Sequence, residues 1–205
     1  MSVTADTGER SRIIEAAYRC LVDSGGGGLS VTGVLNAAGL STRAFYRHFD
    51  SKDALLLAMF RRDSDRVHAE LTAAAEAAPT PPEALRAWIF GFLSLTADSR
   101  RRRRVLVMSC GELMGTAGYA AERALMSAAH HTAVAAILER GRADGTLPWA
   151  DPDADARTIT AALSAAFQER MAQCPADGAA EDSTAARAAE QVTDFAFRAL
   201  GAAAV

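Results

Sequence analysis

Leu40-Ser41-Thr42-Arg43-Ala44-Phe45-Tyr46-Arg47-His48-Phe49-Asp50-Ser51-Lys52 follows directly on Ala37-Ala38-Gly39. A short apolar helix, a glycine turn and a second short helix with a polar, cationic side form the sequence pattern of a helix-turn-helix. That device lays its second helix in the DNA major groove. Ser41 is a good N-cap, because its hydroxyl can accept a free backbone N–H of the first turn. Phe45 and Phe49 are spaced to point inward together, which leaves Thr42, Arg43, Tyr46, Arg47 and His48 facing outward. One side packs and the other can meet phosphates and base edges, so the stretch points to duplex DNA as a partner.

Working outward, the periodicity predicts a first helix over Glu9–Val22, with Ile13, Ala17 and Leu21 on one face and Arg12 and Arg19 outward. Ser24 and the glycines 25–28 end it. They are a connector rather than a phosphate loop, because no Gly-Lys-Ser/Thr follows and no strand precedes. Ser30 caps the next helix, Val31–Ala37, in which Gly33 costs about 1 kcal/mol against alanine. Asp50 and Asp53 are spaced as a capping pair for a fourth helix carrying Leu55, Leu56, Met59 and Phe60 inward. Ala-Pro-Thr-Pro-Pro at 78–82 then opens a second unit. Five more helices are predicted there: Glu83–Ala97, Arg101–Met114, Gly118–Gly141, Asp153–Gln173 and Asp182–Leu200. Gly115, Gly145 with Pro148, and Pro175 with Gly178 mark the breaks. The expected architecture is all-α: a DNA-binding domain over 1–52, a connecting helix over about 53–77, and a second helical domain over 78–205.

Composition agrees with a helical globular chain. It has 205 residues, half of them hydrophobic, with abundant alanine and few aromatics. The uncharged stretch Ala124–Leu138 is too short to span a bilayer, and Met1–Glu9 lacks the apolar core of a secretory leader. A cytoplasmic location with no membrane partner is therefore expected. Net charge is −3, and residues 1–70 carry nine Lys/Arg against nine Asp/Glu. The balance turns positive only over Val31–Lys52, and it is local charge that decides how many phosphates are neutralised. Of the 22 basic residues all but Lys52 are arginine.

Several clusters carry a plainer explanation beside the functional one. Arg100–Arg104 could be a nucleic-acid patch, but solvated arginines pairing with acids such as Asp63 and Asp65 explain it better. Cys20, Cys110 and Cys174 have no metal-ligand spacing and are expected as buried thiols. Asp151, Asp153 and Asp155 are expected as helix N-terminal acids rather than a metal site. His130 and His131 point about 100° apart on a helix and do not suit one metal ion. Neither a cofactor nor a metal is expected.

The stretch from Ala38 to Phe49, followed by Ser51-Lys52 and Asp53-Ala54-Leu55, resembles the N-terminal signature of the TetR family of bacterial transcriptional regulators. Leu40 stands where valine is commoner, and Gly33 and Asn36 depart from the family's usual acidic and small apolar residues. From chemistry, Arg43 and Arg47 suit bidentate contacts to guanine or phosphate, and Thr42 suits a base edge. Ser41 starts a helix whose free N–H groups can face phosphate. The resemblance implies phosphate contacts for Thr32, Tyr46, His48 and Lys52. It also implies a C-terminal domain that encloses a small-molecule effector and forms a homodimer. Candidate effector contacts are Trp88, Phe92, Met108, Cys110, Met114, Met126, His130, Phe167 and Met171, which ordinary core packing would also explain. Candidate dimer contacts are Ile159, Leu163, Ala189, Val192 and Ala196. The implied function is a sequence-specific repressor of operator DNA released by a small apolar ligand. The rivals are a DNA-binding regulator controlled by protein contacts and an all-α enzyme. The second has no nucleophile–His–acid set in the sequence to support it.

Overall fold

The computed structural model describes residues 3–25, 27–173 and 181–202, and all regular structure within them is helical. The helices are α1 (Val3–Asp23), α2 (Val31–Ala38), α3 (Thr42–His48), α4 (Lys52–Glu76), α5 (Pro81–Ser94), α6 (Ser99–Met108), α7 (Gly111–Met114), α8 (Tyr119–Asp144), α9 (Pro152–Gln173) and α10 (Glu181–Leu200). Two compact units emerge, one of Met1–Ser64 with Arg103–Ala124, the other of Asp65–Arg102 with Leu125–Val205.

In the first unit α1 packs on α2 and α3. Ile13, Ile14 and Leu21 of α1, Val34 and Leu35 of α2, and Phe45 of α3 are buried, along with Phe49 and with Leu55, Leu56 and Met59 of α4. Each such side chain contributes about 1.5–3 kcal/mol on burial. Phe45 and Phe49 meet with ring centroids 5.7 Å apart, as their spacing predicts. Gly39 takes a φ of 63°, and this left-handed turn ends α2. The Leu40 N–H donates to the Leu35 carbonyl at 3.1 Å and the Gly39 N–H to Asn36 at 3.3 Å, the paired bonds of a Schellman motif.

Two carbonyls left over at that helix end are taken by α1. Arg12 Nη2 donates to the Ala38 carbonyl at 2.7 Å and Arg19 Nη2 to Ala37 at 3.1 Å. These arginines were expected simply outward. The free carbonyls at a helix C-terminus, and its negative dipole end, attract them instead. At the other ends, Ser30 Oγ accepts from the Gly33 N–H at 3.0 Å and Ser41 Oγ from Ala44 at 3.3 Å. The α4 cap differs from the expected aspartate pair, since Ser51 Oγ takes the Ala54 N–H at 3.0 Å.

The arginine run does not form one patch. Arg104 pairs with Asp63 at 3.3 Å and lies 4.6 Å over the Tyr18 ring, and Arg101 pairs with Glu70 at 3.3 Å. Arg102 is buried, while Arg100 and Arg103 are exposed. Burial, then the Asp63 carboxylate, pushes the Tyr18 hydroxyl well above the usual phenol range. Asp98 offsets the clash between this run and the α6 dipole by accepting the Arg101 N–H at 2.8 Å.

In the second unit α5 packs against α9 and α10. Leu85, Trp88, Ile89 and Leu93 of α5 meet Val134 and Leu138 of α8 in one buried cluster. Gly91 lets α4 come close, because a Cβ there would lie 2.7 Å from Leu71 Cδ2. Ile159, Leu163, Ala189 and Ala196 belong to this same cluster, and Val192 is half-buried against it. These expected dimer contacts thus pack within the chain's own second unit, with Val192 at the margin. The reason is that α9 and α10 turn their most apolar stripes toward α5, which leaves Ala161, Ala165 and Phe195 outside.

Some boundaries move for local reasons. The single helix expected over Arg101–Met114 is two, broken at Ser109-Cys110 before Gly111. Thr80 caps α5 and puts Pro81 and Pro82 inside the first turn rather than in the preceding break. Gly141 lies within α8, and Gly145, with φ of 80°, follows its end. Asp151 caps α9 through the Ala154 N–H at 3.3 Å, so the aspartate cluster serves the helix start. The break at Pro175 and Gly178, and Cys174, lie outside the described residues.

Candidate nucleic-acid interface and ring cluster

The interface is built from α2, α3 and the start of α4. Thr32, Ser41, Thr42, Arg43, Tyr46 and Arg47 are all exposed, and the Tyr46 ring stands edge-on to buried Phe45 at 5.3 Å. The caps at Ser30 and Ser41 pin the two helix starts, whose free backbone N–H groups are ready-made anion partners. Arg47 Nη2 lies 3.2 Å from Glu9 Oε2. This exposed pair is worth little in water and yields readily to a phosphate.

Two expected contacts are placed differently. His48 is not outward: its side chain is 4 % exposed and its Nε2 sits 3.3 Å from Glu9 Oε2. Its position at the end of the seven-residue α3 rotates it toward α1. Lys52 is half-exposed, with Nζ 2.5 Å from Glu112 Oε1 of α7. Glu9 and Glu112 hold basic residues of this surface and carried no sequence signal, because neither lies near the motif in a recognisable spacing.

The expected effector contacts separate. Met108, Cys110 and Met114 fall in the first unit, where the Met108 carbonyl accepts from Tyr119 Oη at 3.3 Å and Met114 is 53 % exposed. The chain re-enters the first unit at Arg103, within α6, and stays there through α7. Met126 and Met171 are half-buried in the second unit. Trp88, Phe92, His130 and Phe167 do come together, and His68 of α4 joins them. His130 stacks on His68 at 5.6 Å and receives Trp88 and Phe92 edge-on at 5.8 and 5.7 Å. Phe167 lies 5.3 Å from Phe92.

Three polar side-chain atoms of the second unit are buried without a hydrogen-bond partner: His68 Nδ1 and His130 Nε2 in the ring cluster, and Thr72 Oγ1 one turn along α4 from His68. Burial, and secondarily His68, pushes the His130 imidazole down to about 4. His131 points elsewhere, with Nε2 3.1 Å from the Asp153 carbonyl. A separate hollow of about 310 Å³ lies among Ala75, Pro79, Pro81, Arg140 and Asp144, and none of the expected effector residues lines it. Sequence reading missed His68 and Thr72 because α4 looked like a mere connector.

Residues 13–59 match the family model of bacterial regulatory proteins, tetR family. The HTH-type transcriptional repressor AcnR of Corynebacterium glutamicum is 39 % identical over 70 residues, 33 % of this chain and 37 % of that protein. The matched stretch thus spans little more than a third of that relative's length. Solved structures share the fold over nearly the whole chain. A transcriptional regulator from Rhodococcus superposes with a TM-score of 0.72 at 22 % identity, covering 96 % of this chain and 98 % of its own. The regulator FadR from Bacillus subtilis, solved in complex with stearoyl-CoA, gives 0.72 at 15 % identity, covering 92 % and 98 %. No described helix is long and apolar enough to cross a membrane. Residues 13–59, which hold the capped helix-turn-helix, thus carry the DNA-binding segment of the tetR family of bacterial regulatory proteins, and the whole chain shares its all-helical fold with the solved regulators.

Proposed function

We propose that the chain is a homodimeric repressor that binds operator DNA through α3 and is released by a small molecule held in its second unit. The observation that carries this is the exposed set Thr42, Arg43, Tyr46 and Arg47 on a helix capped by Ser41 and backed by buried Phe45 and Phe49. Thr42 and Arg43 lie in the first turn, the part of a recognition helix that meets base edges. Tyr46, Arg47, Lys52 and Thr32, with the helix starts at Ser30 and Ser41, hold phosphates and fix the register. His48 acts through Glu9, positioning α3 against α1 rather than touching DNA.

A dimer presents two such helices to successive major grooves, about 34 Å apart, so the operator should be an inverted repeat. The effector works only through unequal affinity for the DNA-competent and DNA-incompetent states. The AcnR relative is a repressor, and FadR of B. subtilis binds stearoyl-CoA; both support this assignment by likeness. Selection of bound sequences from a random duplex pool tests it. An inverted-repeat consensus bound by two copies is expected, and recovery of no consensus would overturn the proposal.

A further inference from the structure

The geometry points to the ring cluster of the second unit as the binding place of an uncharged aromatic molecule bearing a hydroxyl or carbonyl group, a phenol in the simplest case. This rests on the ligand-responsive half of the function proposed above and gives that ligand a chemical class.

Three buried polar atoms without partners, His68 Nδ1, Thr72 Oγ1 and His130 Nε2, are an unusual concentration. Each costs about 1–3 kcal/mol while it stays unsatisfied, so such groups call for a partner that arrives from outside. His68 and Thr72 stand one turn apart on α4, on one face. The surrounding walls are rings: Trp88 and Phe92 meet His130 at 81° and 88°, and Phe167 adjoins Phe92. His130 is 8 % exposed, whereas His68, Phe92 and Phe167 are only half-buried and form the accessible side.

A guest entering there separates ring from ring. An aromatic guest restores the edge-to-face contacts it breaks, worth about 0.5–1.5 kcal/mol per pair, and an alkyl chain does not. Its charge is set by the surroundings. The low affinity of buried His130 for a proton leaves it neutral at pH 7, so it offers a carboxylate no cation and still serves as a hydrogen-bond partner for a hydroxyl or carbonyl. A metal ion fits poorly. The imidazoles lie within 15° of parallel, so their in-plane lone pairs do not converge on one point.

The test uses the full-length protein with Trp149→Phe, so that Trp88 is the remaining indole of the two in the chain. Naphthalene, 2-naphthol and 2-naphthoate are titrated while Trp88 fluorescence is followed. Saturable quenching by 2-naphthol is expected, about tenfold tighter than by either other probe, as one buried hydrogen bond would give. His130→Phe keeps a ring and removes the nitrogen, and should abolish the preference over naphthalene at unchanged helix content. Thr72→Val provides the same comparison if His130→Phe does not fold. Equal binding of all three probes, a preference for 2-naphthoate, or a 2-naphthol preference that survives these variants overturns the inference. Operator affinity is measured alongside. Binding of 2-naphthol as described without any change at the operator sustains the site and sinks the effector role. Operator recognition with no probe binding sinks the site and leaves the DNA-binding assignment standing.

Discussion

The imidazoles of His68 and His130 lie stacked in the second unit, their centroids 5.6 Å apart and their planes 15° from parallel. A proton on His130 is disfavoured there, mainly by burial, and its value falls from 6.5 to about 4. The unfolded chain therefore binds the proton more readily than the folded one between these values. The stabilisation is complete above about pH 6.5 and is lost as pH falls toward 4, by roughly 3 kcal/mol at most. Urea titrations at pH 7 and pH 5 should show the wild type losing stability that His130→Phe retains. Parallel losses in both proteins would contradict this.

The roles proposed for Arg43 and Lys52 on DNA make different predictions. Arg43→Ala should relax preference at one base pair of each half-site, at about 1–3 kcal/mol. Lys52→Ala should weaken all duplexes alike and reduce the salt slope by about one unit per half-site. Binding titrations over several salts and site variants separate the two, and an exchange of these behaviours would reverse the assignment.

Glu112 holds the Lys52 ammonium and should compete with phosphate for it. Glu112→Gln should free the ammonium and tighten binding to specific and non-specific duplexes together, by about 0.2–1 kcal/mol, the range of a partly exposed ion pair. The gain should vanish when Lys52→Ala is added. A gain that persists in the double variant would show that Glu112 acts by general repulsion.

Leu163 and Ala196 test the placement of α9 and α10. Leu163→Ala should cost about 2–5 kcal/mol in unfolding experiments without altering subunit stoichiometry at low denaturant. Ala196→Glu buries a carboxylate in the same core and should unfold the second unit. A folded, helical, monomeric Ala196→Glu protein would return that residue to an interface.

The reading head was legible in the sequence because its determinants are local. Ser30, Ser41, Gly39 and the Phe45–Phe49 spacing act within a few residues, and the structure uses each as its chemistry dictates. What escaped was set by distant partners. His48 turns inward to Glu9, 39 residues away, and Lys52 is held by Glu112, 60 away. The apolar spacing of α9 and α10 showed that Ile159, Leu163, Ala189 and Ala196 share faces but not which neighbour those faces meet. The neighbour is α5, a choice made by packing. Residue type picks out Trp88, Phe92, His130 and Phe167 of the ring cluster, but it does not carry the division between units that assigns Met108, Cys110 and Met114 to the first.

The chain's single lysine has a practical consequence. Because every other basic side chain is arginine or histidine, Lys52 is the sole ε-amine that an acylating reagent can find. Its modification would cancel one charge and one partner of Glu112 in a single covalent event. With the DNA contact proposed for Lys52, a bound duplex should shield this amine and a released one uncover it, so occupancy can be read from the acylated fraction of the peptide that holds Lys52.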